Sequence, residues 1–129
     1  MDIARLDNLL LELTDSERAY CAGARYDWND AFRQGQQADI DGRHVRKIGN
    51  AAYALHQEGM PEGLSIVRNS RFNPVPEHVH DYVEISYVYR GSAPQVVNGT
   101  QLTLAQNVVL LLDAACPHAV GELGEHDLM

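Results

Sequence analysis

The chain has 129 residues, 45% of them hydrophobic and 22% charged, and a formal net charge of −8. One domain of ordinary size fits this length, and the balance is that of a globular protein rather than a disordered one. Nucleic-acid binding draws on Lys and Arg to neutralise phosphates. With 10 basic residues against 18 acidic ones and no basic stripe, no direct DNA or RNA binding by this chain alone is expected. No apolar run approaches the roughly 18 residues of a membrane span. Leu9, Leu10 and Leu11 follow Asp2 and Asp7 rather than a basic stretch, which argues against a signal peptide. Cys21 and Cys116 are far apart and form no C-x-x-C, so a reducing, cytoplasmic setting is expected.

Helical spacing dominates the first part of the chain. Ile3, Leu6, Leu10 and Leu13 fall on one face of a helix. Thr14 and Glu17 read as a capping box that opens a short second helix over 15–23. Tyr20, Tyr26, Trp28 and Phe32 bring four of the nine aromatics together, as glue against the rest of the domain. Residues 35–42 are polar and loop-like. Val45, Ile48, Ala52 and Leu55 predict a helix over 44–58, with Gly59 and Pro61 as its stop signal.

From Leu64 onward apolar residues alternate at strand spacing. Strands are expected over 64–72 and, after the break at Asn73-Pro74-Val75-Pro76, over 78–90 as one long run. Asn98-Gly99 is a strong signal for a type I′ hairpin turn joining 95–97 to 100–104. The apolar run Val108 to Leu112 reads as a strand buried on both faces. Asp113 to Pro117 is a turn, 118–120 a short strand, and 125–129 the start of another. Many short strands with turns between them point to a sandwich or barrel. The expected organisation is a helical extension over 1–63 packed on a barrel over 64–129.

Alternation along 78–90 carries the chemistry. His78, His80, Tyr82, Glu84 and Ser86 share one face, and Val79, Val83, Ile85, Tyr87 and Tyr89 share the other. Two imidazoles and a carboxylate on one face suit a divalent metal such as Zn, Mn, Fe or Ni. A third imidazole would have to come from elsewhere, and His118 is the candidate. Periodicity alone favours the opposite reading, in which the greasier odd face is the core and the histidines are solvated. Glu84 can equally serve a hydroxylated ligand.

His78-Val79-His80, three residues, Glu84, six residues and Gly91 resemble the first cupin motif in spacing. Phe72 stands where that motif begins with glycine. The second motif has glycine, proline and glycine ahead of its histidine; here those places are Gln106, Asp113 and Ala115, and His118 is kept. An intact first motif with an eroded second resembles the N-terminal sensor domain of AraC-type transcription regulators. Arg71 to Tyr82, Tyr87-Val88-Tyr89-Arg90-Gly91, Asn98-Gly99, Leu111-Leu112-Asp113, Pro117-His118 and Leu123 to Met129 resemble it in order.

The resemblance implies a mainly β fold: a cupin-like, jelly-roll β-barrel preceded by a short helical N-terminal region. It implies a bacterial, cytoplasmic domain that binds a small-molecule effector, often a carbohydrate, and commonly forms a homodimer. DNA contact would fall to a helix-turn-helix module that this sequence does not contain, so a fragment or truncated product is expected. In a cupin barrel the His/Glu face lines the pocket. The ligand-binding set is then His78, His80, Tyr82, Glu84, Ser86 and His118. No catalytic residue is expected, and His78, His80, Glu84 and His118 are the set that would hold a divalent metal. The alternatives are a small metal-dependent cupin enzyme of isomerase or dioxygenase type, and a dimerisation module that titrates intact regulators.

Overall fold

Asn98 and Gly99 both take positive φ, 48° and 77°, as a type I′ turn demands. They close a hairpin whose arms pair from Val97↔Thr100 to Ser92↔Ala105. In the computed structural model, which describes residues 2–25, 36–40, 43–48, 66–80 and 82–129 (for 36–40 and 43–48 the backbone), this hairpin forms one end of a larger sheet. The elements in chain order are α1 (Ile3–Leu11), α2 (Asp15–Cys21), β1 (Gln36–Ile40), β2 (Arg43–Ile48), β3 (Val75–His80), β4 (Glu84–Tyr87), β5 (Ser92–Val97), β6 (Thr100–Ala105), β7 (Val109–Leu112) and β8 (His118–Val120). Six strands form a sheet in the order β1-β2-β3-β8-β5-β6, and β4 pairs with β7 in a second sheet. Among the described residues, two short helices precede this mainly β, cupin-like fold. Among the described residues no helix is long and apolar enough to cross a membrane.

The long strand expected over 78–90 is two strands. β3 belongs to the six-stranded sheet and β4 to the two-stranded one, and residues 82 and 83 carry the chain across. Hydrophobic alternation cannot register this break, because the parity of the inward face survives it. The core lies between the sheets: Val88, Ala93, Leu104 and Leu123 are buried together, with Leu102, Leu110 and Met129 packed on them.

Other expectations are corrected by the pairing. The helix over 44–58 is instead strand β2 where it is described; it pairs antiparallel with β1 and parallel with β3, while 49–58 lie outside the described residues. The loop over 35–42 is largely strand β1. Val45 and Ile48 suit either period, and the free edge of β3 decides in favour of a strand, a tertiary override of local pattern. Residues 66–70 form no strand. That segment instead runs beside the C-terminal residues with isolated bonds, Asn69 N–H to the Met129 carbonyl and Phe72 N–H to the Leu123 carbonyl, both 2.9 Å. Residues 125–129 hold a turn and one bridge, Arg90↔Leu128. β7 is not buried on both faces: Leu112 is buried, but Val109 and Leu111 are 58% and 65% exposed. Tyr26, Trp28 and Phe32 lie outside the described residues, and Tyr20 is half-buried with the Arg25 guanidinium 4.4 Å over its ring.

The helices are held by charge more than by grease. No residue of α1 is buried, and Ile3, the first of its apolar stripe, is exposed. The capping box at α2 forms in full, with the Thr14 hydroxyl accepting from the Glu17 N–H and Glu17 Oε2 accepting from the Thr14 N–H. The same Glu17 carboxylate takes two hydrogen bonds from the Arg71 side chain, at 3.0 Å each, and one from the Arg71 N–H at 2.8 Å. Arg68 adds a contact at 2.7 Å. Arg71 also donates to the carbonyls of Leu11, Glu12 and Glu125, and Arg68 to those of Leu10 and Glu12. One cluster therefore satisfies orphan carbonyls at the C-terminal end of α1, caps α2 and anchors both to the chain ahead of β3.

Burial alone would raise the Glu17 pKa, but the Arg71 hydrogen bonds, the Thr14 N–H and the Arg68 charge outweigh it and hold it at about 2. A carboxylate with a depressed folded-state pKa contributes stability that is present above its unfolded value, 4.5, and lost as pH falls toward 2. Acid unfolding followed by circular dichroism is expected to lose this contribution across that window. Glu17→Ala, which leaves Arg71 buried and unpaired, is expected to cost about 3–5 kcal/mol in urea unfolding and to flatten the acid dependence there.

Candidate functional site

β3 and β8 are neighbours, and their register places His78 directly opposite His118. His80 lies two residues further along the same face of β3. All three imidazoles are buried. Ring centroids stand 4.2 Å apart for His78–His118, 4.8 Å for His80–His118 and 5.9 Å for His78–His80. A ligating nitrogen from each lies within 4.8 Å of the others. β4 closes the group from the second sheet, with Glu84 Oε2 3.0 Å from His80 Nε2 and 3.6 Å from His118 Nε2.

The backbone sets the tautomers. Nδ1 of His78 meets the Pro76 carbonyl at 2.8 Å, Nδ1 of His80 the Tyr82 carbonyl at 2.9 Å, and Nδ1 of His118 the Cys116 carbonyl at 3.0 Å. A carbonyl only accepts, so each Nδ1 carries the proton and Nε2 is the acceptor of each neutral ring. Orientation of this kind is the usual support of metal-ligating histidines. Glu84 is fixed in turn, its Oε1 accepting from the Ser86 hydroxyl at 2.7 Å. Tyr82 stacks on His80 at 3.9 Å, nearly parallel.

Charge follows from this geometry. Burial pushes the Glu84 carboxyl up, but the close imidazoles of His118 and His80 and the hydrogen bond from the Ser86 hydroxyl outweigh it and hold it well below the ordinary carboxylate range. Burial pushes His118 down, and its contact with Glu84 and the Cys116 carbonyl reverse the sign, so its pKa is raised. Burial, reinforced by the charge of His118, lowers His78 to about 4. The site thus has a firm anion in Glu84. His80 Nε2 and Glu84 Oε2, 3.0 Å apart, are placed to share a proton or to ligate one metal ion together. Three imidazole nitrogens with one carboxylate are a donor set suited to Zn, Mn, Fe or Ni.

A family model described as AraC-like ligand binding domain matches residues 67–128. This segment belongs to that family. No curated protein matches the chain. Within this AraC-like domain the departures from the cupin motifs are milder in backbone than in side chain. Phe72 and Ala115, which stand in two glycine places, keep positive φ of 67° and 65°. Gly91, the glycine retained, has φ +74°, and a Cβ there would lie 2.0 Å from Asp127 Oδ1. That carboxylate holds the N–H groups of Ser92 and Gly124 at 2.9 and 2.8 Å.

The AraC-like domain brings His78, His80, Glu84, Ser86 and His118 to one place, with Tyr82 against it. Ser86 and Tyr82 make their described contacts to Glu84 and His80, so they position the quartet. The reading that put the greasy odd face in the core is reversed for β4, where Ile85 and Tyr87 are exposed. Two grooves, of about 430 and 440 Å³, run along β5 and its neighbours and include none of the quartet; Gln95 and Leu102 are among the residues lining the second. Sequence reasoning missed the three carbonyls that orient the imidazoles. Each belongs to a residue two positions from its histidine, and no side-chain identity reports a carbonyl's direction. Long-range ¹H–¹⁵N spectra of labelled protein are expected to show His78 and His118 as Nδ1–H tautomers when neutral. Nε2–H signals there would contradict the carbonyl locks.

Proposed function

We propose that the chain is the effector-sensing domain of an AraC-type transcription regulator. It takes a small molecule at His78, His80, Tyr82, Glu84, Ser86 and His118 and performs no catalysis of its own. The observation that carries this reading is the convergence of three buried, oriented imidazoles and a half-buried carboxylate inside a segment of the AraC-like ligand-binding family. A hydroxylated ligand such as a sugar suits the site, because Glu84 accepts hydrogen bonds and Tyr82 offers an aromatic face. An effector that binds one arrangement of the domain better than another biases it by that difference in affinity, and a separate module would carry the DNA contact.

The same donor set favours a second reading, a metal-dependent enzyme in which the bound ion polarises a carbonyl or activates water. One pair of experiments separates them. Thermal melts across a monosaccharide panel are expected to rise with at least one sugar, by about 2.7 kcal/mol of added stability at a hundredfold excess over Kd. His80→Ala is expected to abolish that rise. A panel that leaves the melt unmoved, together with one equivalent of metal per chain by elemental analysis, would favour the enzyme.

Homodimerisation is part of the proposal. Cross-strand pairing sets Ile85 beside Leu111 and Tyr87 beside Val109, and all four are exposed. A contiguous apolar face of this kind is what an interface buries, and two-fold dimers are the commonest assembly. Sedimentation equilibrium is expected to give a dimer for the wild type and a monomer for Leu111→Asp. A wild-type monomer at high concentration would remove the dimer from the proposal.

A further inference from the structure

The inward face of β5 is set by its partners. Val97 pairs with His118, and Gln95 pairs with Val120 on one side and Leu102 on the other. Residues two apart on a strand share a face, so Ala93, Gln95 and Val97 lie on the side that carries His118. Gln95 is 3% exposed and is the polar member of that face. Val120, Leu102 and Ala93 around it make this a position where burial favours Val, Ile or Leu.

Its amide is half-satisfied. Nε2 donates to Met129 Sδ at 3.1 Å, and a thioether is a weak acceptor. Oε1 has no hydrogen-bond partner among the described residues. Turning the amide over would set the oxygen against a sulfur with no proton to give and strand both N–H groups, so the carbonyl is the unpaired end. The other buried polar residues (Glu17, Arg71, His78, His80, Ser86 and His118) all have partners. A buried acceptor without a donor is destabilising. This one sits diagonally across the β5–β8 pair from His118, a separation of about 7–8 Å between Cα atoms, which a small ring can span.

We infer that Gln95 is a specificity residue of the effector site, its Oε1 accepting a hydrogen bond from an O–H or N–H of the bound molecule. The inference rests on the effector reading proposed above and narrows its chemistry. Gln95 Oε1 and the Glu84 carboxylate both accept, so together they select a molecule with donors at two points, a polyol or sugar. They disfavour a polycarboxylate, which would set acceptor against acceptor.

Gln95→Met keeps the length of the side chain and removes the carbonyl, and Gln95→Leu is the branched control. Without ligand, at least one of the two is expected to melt no lower than the wild type. A fall of more than about 4 °C in both would make Gln95 a structural residue and overturn the inference. Calorimetric titration then uses monosaccharides and myo-inositol as probes, with citrate and malonate as acidic controls. The polyol that the wild type binds best is expected to bind at least roughly tenfold more weakly to the folded variant. Equal affinity would overturn the role of Gln95 and leave the effector reading standing. Preference for citrate or malonate would overturn the donor-rich class while keeping an effector. Binding of none of the probes to the wild type would overturn the sugar reading and this inference with it.

Discussion

The Nε2 atoms of Nδ1-protonated imidazoles and the oxygens of a carboxylate are all acceptors, and close contact between them calls for a proton or a metal ion shared among them. The rest of the molecule is arranged around that constraint. β3 and β8 are adjacent so that His78 faces His118. The chain breaks after His80 so that Glu84 reaches the group from the second sheet. The carbonyls of Pro76, Tyr82 and Cys116 claim the Nδ1 protons, which leaves the Nε2 atoms as acceptors. What supplies the positive charge, a proton on a ring or a bound ion, is the chemical choice on which the proposed readings divide.

A second buried ionic cluster does structural work at the other end of the chain. Glu17 and Arg71 are buried, and such a pair is tolerated when further hydrogen bonds satisfy its lone pairs and N–H groups. Glu17 closes the α2 capping box and takes Arg71 and Arg68, while Arg71 turns other donors on backbone carbonyls. The helices, which bury little apolar surface, are thereby fastened next to the position where Phe72 turns the chain through positive φ into β3.

Much of the β region was legible because its signals are local. The Asn98-Gly99 turn is chemistry of two residues, the capping box of four, and the two-residue period of His78, His80, Glu84 and Ser86 survives the crossing between sheets. The first cupin motif, with His118 beyond it, named the quartet that the fold assembles. Misreadings arose where pairing overrides pattern. β1 and β2 are strands because β3 offers an edge, while residues 66–70 make only isolated bonds to the C-terminal segment. Apolarity along Val108 to Leu112 looked two-sided, yet the two-stranded sheet leaves Val109 and Leu111 exposed.

By itself the sequence determined which side chains share a strand face, where the turns fall and which residue types are available to a site, since all of these depend on neighbours a few positions apart. Only the tertiary structure decided which face is the interior, which nitrogen of each imidazole carries the proton, and that Gln95 holds a buried carbonyl with no donor among the described residues. The physical reason is the same in each case. A hydrogen bond to a backbone carbonyl, the burial of an amide and the approach of Glu84 to His118 are distances between segments, and they exist only once the sheets have closed on each other.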